Sequence, residues 1–226
     1  MERPILFSGP MIRALLPGAK TQTRRILKAP YGWDPNTMDL QAVMEHPDCP
    51  KAQAFFGDGW GVGCPYGKRS DRLWVREMWR PVIERWSSYI EYAAGGPDLA
   101  NSDRDRMTGL SKVALRFPGA RADIHSEAWH PSIHMPRWAS RINLAITGIK
   151  VERVQDISEA DILAEGITVP LVAEMTGIPW SDIPDLFTAW RLAWVHINGP
   201  ESWDANPYVW AISFKVVQPG GGGAEG

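Results

Sequence analysis

The sequence predicts an α+β fold: a small mixed β-barrel with peripheral helices and two long insertions. Three observations carry that expectation. Several stretches alternate apolar and polar residues over strand lengths, while only two or three show helical spacing. Strands and helices interleave irregularly, unlike the steady alternation of a doubly wound sheet. No Gly-rich phosphate loop opens a helix, since Gly61-Val62-Gly63 runs into Cys64-Pro65.

The elements follow in order. Residues 4–7 (PILF) read as a short strand, then Ser8 caps a helix with Pro10 in its first turn and Met11, Ile12, Leu15 and Leu16 at helical spacing. Pro17-Gly18 stops that helix, and 19–27 reads as an extended segment leaving a tight turn. Residues 29–69 are rich in Pro, Gly, Asp and Asn with little periodicity, which predicts a long excursion ending in the turn Cys64–Gly67. Leu73, Trp74, Val75 and Trp79 belong to a strand-like run over 71–79. Within the next irregular stretch, Tyr89–Ala94 can be a strand, and Gly95–Arg106 is polar enough for a mobile loop. His130–Trp138 reads as an ordered turn.

Residues 142–154 alternate as one long strand, bent or bulged at Gly148. Ser158 with Asp161 three positions on is a capping signature, and Gly166 closes that helix, leaving Glu165 in its last turn. A second helix over about 183–196 carries Leu186, Phe187, Trp190 and Trp194 on one face and ends at Asn198-Gly199-Pro200. The strand 208–217 sets Tyr208, Trp210, Ile212 and Phe214 on one side and Val209, Ala211 and Ser213 on the other. The expected organisation is one domain over 1–218, with insertions at about 29–65 and 80–134 and a disordered tail over 219–226.

Composition narrows the function. The formal net charge is −2, which lacks the broad basic footprint of a protein that tracks many phosphates. No apolar run approaches the roughly 20 residues of a spanning helix, the start lacks a signal-peptide layout, and only Cys49 and Cys64 occur, so a cytoplasmic protein without a membrane partner is expected. His125, His130 and His134 are separated by prolines and no C-x-x-C pair exists, so neither a metal nor a cofactor is expected. Twelve tryptophans provide flat rings that fill cores or stack on bases, with Trp74, Trp79 and Trp210 as stacking candidates and core packing as their default.

The densest chemistry lies at Gly18–Arg25, where a helix stop delivers Lys20, Thr21, Thr23, Arg24 and Arg25 to one turn. Such a turn can present several donors to one anionic or carbonyl-bearing ligand, and a solvated basic turn has the same composition. If burial and the neighbouring guanidiniums depress its basicity, Lys20 can take the proton of Thr23 and make that oxygen a nucleophile. Glu77, at the end of the 71–79 run, can hydrogen-bond a base edge or pair with an arginine such as Arg76 or Arg24.

The stretch 18–25, with 71–77 (DRLWVRE), 154–167 (VQDISEADILAEGI) and 206–214 (NPYVWAISF), resembles the ASCH domains, small barrels related to the RNA-binding PUA fold. The chain is most similar to the larger ASCH-like proteins often encoded in phages and prophages. Ser70 stands where those domains usually carry glycine. One branch with a similar site hydrolyses the acetyl amide of N4-acetylcytidine. That resemblance implies Lys20 as proton acceptor, Thr23 as nucleophile and Glu165 as proton donor; from the residues themselves, Thr21, Arg24, Arg25, Glu77, Trp74 and Trp210 are the candidates for binding the ligand. The partner is then a modified nucleoside or a single-stranded nucleic acid. The alternatives are a non-catalytic RNA- or ssDNA-binding PUA-like module, or a phage-associated nuclease or assembly protein.

Overall fold

A computed structural model describes residues 1–28, 39–45, 49, 51–56, 61–83, 88–95 and 128–217. The fold is α+β, with ten strands in sheets and four α-helices among the described residues, and no closed barrel is found among them. None of these helices is long and apolar enough to cross a membrane. The described chain divides into two compact units, the first drawn from Met1, Pro17–Asp71 and Ala145–Lys215, the second from Glu2–Leu16, Arg72–Leu144 and Val216 onward.

In the second unit, strand β1 (Glu2–Leu6) pairs in parallel with β6 (Arg72–Arg76). Helix α1 (Gly9–Leu15) buries Met11, Ile12 and Leu15 of the four residues its spacing selects, while Leu16 is its half-buried C-cap. The run 71–79 proves to be two strands, because after β6 the chain leaves the sheet at Glu77 and Met78 and begins β7 (Trp79–Ile83). This strand forms an antiparallel hairpin with β8 (Ser88–Tyr92). Trp79, Ile90, Tyr92, Met135 and Ala139 make a local core there, and 3-10 turns at Ser132–His134 and Arg137–Ala139 account for the ordered stretch before the long strand.

The first unit carries β2 (Gln22–Ile26), entered from Gly18 at φ 80°, a conformation that suits glycine. It also holds three strands that the sequence does not announce: β3 (Leu40–Met44), β4 (Gln53–Phe56) and β5 (Gly61–Gly63) form an antiparallel sheet inside the stretch expected to be irregular. Ala52, Ala54 and Phe56 are wholly buried, and Phe56 meets Tyr208 edge-on at 5.3 Å. The buried residues here include small alanines, and Gly61 and Gly63 carry no side chain, so the stretch gives no visible hydrophobic alternation.

Strand β9 (Asn143–Arg153) is a single long strand, of which Ala145 onward belongs to the first unit. Strand β10 (Tyr208–Val217) lies between β9 and β2 and is buried on both faces through Ile212. Helix α2 (Glu159–Ala164) is capped as expected, with the Ser158 hydroxyl accepting from the Asp161 amide at 3.2 Å, and Gly166 leaves it at φ 75°. Helix α3 (Val169–Thr176), absent from the sequence reading, starts at Thr168 and ends at left-handed Gly177. Helix α4 (Leu186–Asn198) begins at the Asp185 cap, three residues later than expected. It buries Ala189, Trp190, Ala193 and Trp194, while Phe187, expected on the buried face, is exposed. Of the expected loop over 95–106 all but Gly95 lies outside the described residues, as does the tail from 219.

Candidate active site

The site grows from the pairing of β2 with β10. The register sets Gln22 opposite Ser213, Thr23 opposite Ile212, Arg24 opposite Ala211 and Arg25 opposite Trp210. Residues directly opposite in an antiparallel pair share a face, and successive residues alternate. One face of the pair therefore couples long polar side chains, Gln22 and Arg24, with small partners, Ser213 and Ala211. The other couples Thr23 and Arg25 with the bulky Ile212 and Trp210.

On the first face the small partners leave room for a buried charge network. The Gln22 amide donates to the Ser213 hydroxyl at 3.1 Å, and the Gln22 carbonyl oxygen accepts from Arg24 Nη1 at 2.7 Å. Arg24 also donates from Nε to Glu152 Oε1 at 2.8 Å and from Nη1 to Glu165 Oε1 at 3.1 Å, and its Nη2 contacts Glu152 Oε1 and lies 3.3 Å from Asp161 Oδ2. Lys150 ties the outer carboxylates together, 2.7 Å from Asp161 and 2.9 Å from Glu152.

Lys20 enters the network from the turn before β2. Its Nζ donates to Glu165 Oε2 at 2.6 Å and to the Glu165 carbonyl oxygen at 2.7 Å, while the Thr21 amide donates to the Ala164 carbonyl at 2.7 Å. Two residues of the turn thus satisfy carbonyls at the end of α2, where a cation is also favoured by the helix dipole. Lys20 and Glu165 are almost wholly buried, at 2% and 4% exposure. Burial pulls the Lys20 ammonium below its ordinary basicity; the charge and hydrogen bond of Glu165 oppose this, and the charges of Arg25 and Arg24 reinforce it. An amine in this setting is closer to its neutral, proton-accepting form than a surface lysine.

The expected residues thus separate. Lys20 and Glu165, 145 positions apart, are brought into direct contact, and Arg24 joins them. Thr23, at 1% exposure, takes no part in these hydrogen bonds and lies on the face of Ile212. Thr21 is exposed and contributes its backbone, and Arg25 is half-buried, its Nη1 donating to the Arg24 carbonyl at 3.1 Å. Arg24 is not an open phosphate ligand, because carboxylates surround its guanidinium.

The stacking candidates lie in the core, their default placement, and Trp79 is buried like the other two. Trp210 is 0% exposed and offers no face to a base, being core on the centre of β10. Trp74, in the second unit, is 8% exposed, and the Arg76 guanidinium already sits 4.6 Å from its ring centroid. Glu77, also in the second unit, is gripped at both oxygens by Arg141 at 2.9 Å, and Arg141 in turn donates to the Gly95 carbonyl and lies over the Tyr92 ring. An arginine does pair with Glu77, and that arginine is Arg141. Among the described residues no group of three His, Cys, Asp or Glu could hold a metal ion.

Gln22, Lys150, Glu152 and Asp161 are the members that sequence reasoning passed over. Signals for them exist: Lys150 and Glu152 are two apart on a strand, and Asp161 and Glu165 are four apart on a helix, so each pair shares a face. Compared with known proteins, the chain matches no family model, no curated protein and no solved structure.

Proposed function

We propose that this chain is an ASCH-like protein of PUA-type barrel ancestry that recognises a nucleoside and hydrolyses the amide of an N4-acylated or similarly modified cytidine. The observation that carries the reading is the 2.6 Å contact between Lys20 and Glu165, both buried, with Lys20 reduced in basicity. Amide hydrolysis needs a group that removes a proton from the nucleophile and one that delivers a proton to the leaving nitrogen. A buried amine and carboxyl in contact supply both: moving the shared proton from nitrogen to oxygen leaves a neutral base and a neutral acid without changing the charge of the pair.

In this reading Lys20 takes the proton of the Thr23 hydroxyl as its oxygen bonds to the acyl carbon. Glu165 protonates N4 of cytidine as the C–N bond breaks, and water then cleaves the acyl ester on Thr23. The hydrogen bonds that hold Lys20 Nζ at Glu165 do not include the Thr23 hydroxyl, so the threonine step is the part of the reading that a Thr23→Ala variant tests. The local neutrality of the network suits an uncharged nucleoside better than a phosphate chain.

The test is release of cytidine and carboxylate from N4-acetylcytidine and related N4-acyl cytidines. Turnover is expected in the wild type, with a loss of about a hundredfold or more in Lys20→Met and Glu165→Gln variants that keep their circular dichroism. Equal loss in Thr23→Ala supports the acyl-ester route, and retained turnover there replaces the threonine with water as nucleophile. No turnover by the wild type on any member of the panel overturns the reading.

A further inference from the structure

We propose that Arg24 is a positioning residue which, anchored by Glu152, holds the Glu165 carboxylate in line with Lys20; this rests on the acid–base role assigned to that pair. A carboxylate held at one oxygen can still rotate about its side-chain bonds. Here both oxygens are engaged, Oε2 by Lys20 at 2.6 Å and Oε1 by Arg24 at 3.1 Å. The orientation of Glu165 is then only as fixed as that of Arg24.

Arg24 is fixed on every side. Its Nε and Nη2 engage Glu152, its Nη1 is shared between Gln22 and Glu165, and the Trp190 ring lies 5.8 Å from its guanidinium carbon. Its side chain is fully buried. A guanidinium keeps its proton at all working pH values, so Arg24 acts through geometry and charge and not as an acid. Its charge also adds to the lowering of the Lys20 basicity. Among the described residues, the charged groups around the pair include Arg25 on β2, Lys150 and Glu152 on β9 and Asp161 on α2.

The experiment compares kcat, KM and their pH dependence on N4-acetylcytidine for wild type, Arg24→Gln and Glu152→Gln. Arg24→Gln is expected to lower kcat about tenfold or more, leave KM nearly unchanged and displace a limb of the kcat profile. Glu152→Gln, which loosens Arg24 without touching Glu165, is expected to lower kcat severalfold in the same direction. A folded Arg24→Gln protein with wild-type kcat and profile, or one changed only in KM or stability, overturns the inference. If that variant does not fold, Glu152→Gln decides by the same criteria. Absence of turnover in the wild type defeats the hydrolase reading alone. The inference is then judged by nitrogen-resolved NMR titration of Lys20, where displacement in Glu152→Gln upholds the coupling and an unmoved titration overturns it.

Discussion

Ser70 has a left-handed backbone, φ 74°, just before Asp71, and its amide donates to the Ile146 carbonyl at 2.9 Å. An L side chain in that region costs about 1–2 kcal/mol, while glycine adds about 0.5–1 kcal/mol of unfolded-state entropy. Ser70→Gly is therefore expected to stabilise the protein by about 0.5–1 kcal/mol, read as a higher midpoint in urea at unchanged slope. The resemblance to glycine-bearing domains flagged this position from sequence, but only the dihedral explains why glycine suits it. Lys20 and Glu165 were legible only through the resemblance, because a lysine in a basic turn and a carboxylate at a helix end are each, taken alone, ordinary surface features. The neighbours of Arg24 were not, since Glu152 and Glu165 lie 128 and 141 positions away and no local pattern pairs them. For Thr23 and Trp210 the two faces of β10 were readable, but the register against β2 was not, and the register decides which face Thr23 shares.

At the scale of elements, α2 is six residues long, too short to persist on propensity, and depends on its caps and its contacts. It delivers Asp161 and Glu165 from one face and receives Lys20 and Thr21 at its end. Ser158→Ala removes the acceptor for the Asp161 amide and is expected to cost about 1 kcal/mol in chemical denaturation. A proportionate fall in kcat should accompany it, because the carboxylates ride on the same turn. This cap was readable from its spacing. Helix α3 offered comparable marks in Thr168, Pro170 and Gly177, yet its short apolar run between prolines lacks a clear period. Strands β3, β4 and β5 escaped for a different reason: Ala52, Ala54, Gly61 and Gly63 supply fit and little pattern.

For the whole molecule, the charge contacts predict how stability follows pH. Burial pushes the Asp161 carboxyl up, but the hydrogen bond and charge of Lys150, with Arg24 and Gln22, outweigh it and hold the folded value low. At Glu2 the Arg137 hydrogen bond leads, and burial only partly offsets it. Both groups bind protons more tightly when unfolded. Their stabilisation is thus present above about pH 4 and lost as the pH falls through the folded values. On the alkaline side two lysines oppose each other. Burial of Lys150 is outweighed by Asp161 and Glu152, so its value is raised and its contribution is lost only as the pH rises through that value, above about 10.4. Lys20, lowered chiefly by burial, takes up a proton on unfolding between its folded value and about 10.4, so stability climbs with pH across that window. Unfolding midpoints measured against pH should show the acid loss, blunted in Asp161→Asn, and an alkaline climb that Lys20→Met flattens.

Among the described residues, the ion pairs of the network join three cations, Lys20, Arg24 and Lys150, to three anions, Glu152, Asp161 and Glu165, whose charges cancel. From beyond a Debye length such a cluster is electrically silent: it neither beckons a polyanion nor repels one. Whatever reaches Lys20 must be chosen at close range, by the shape and hydrogen bonds of the molecule itself, and the crowded ionic milieu of a cell should make little difference to that choice.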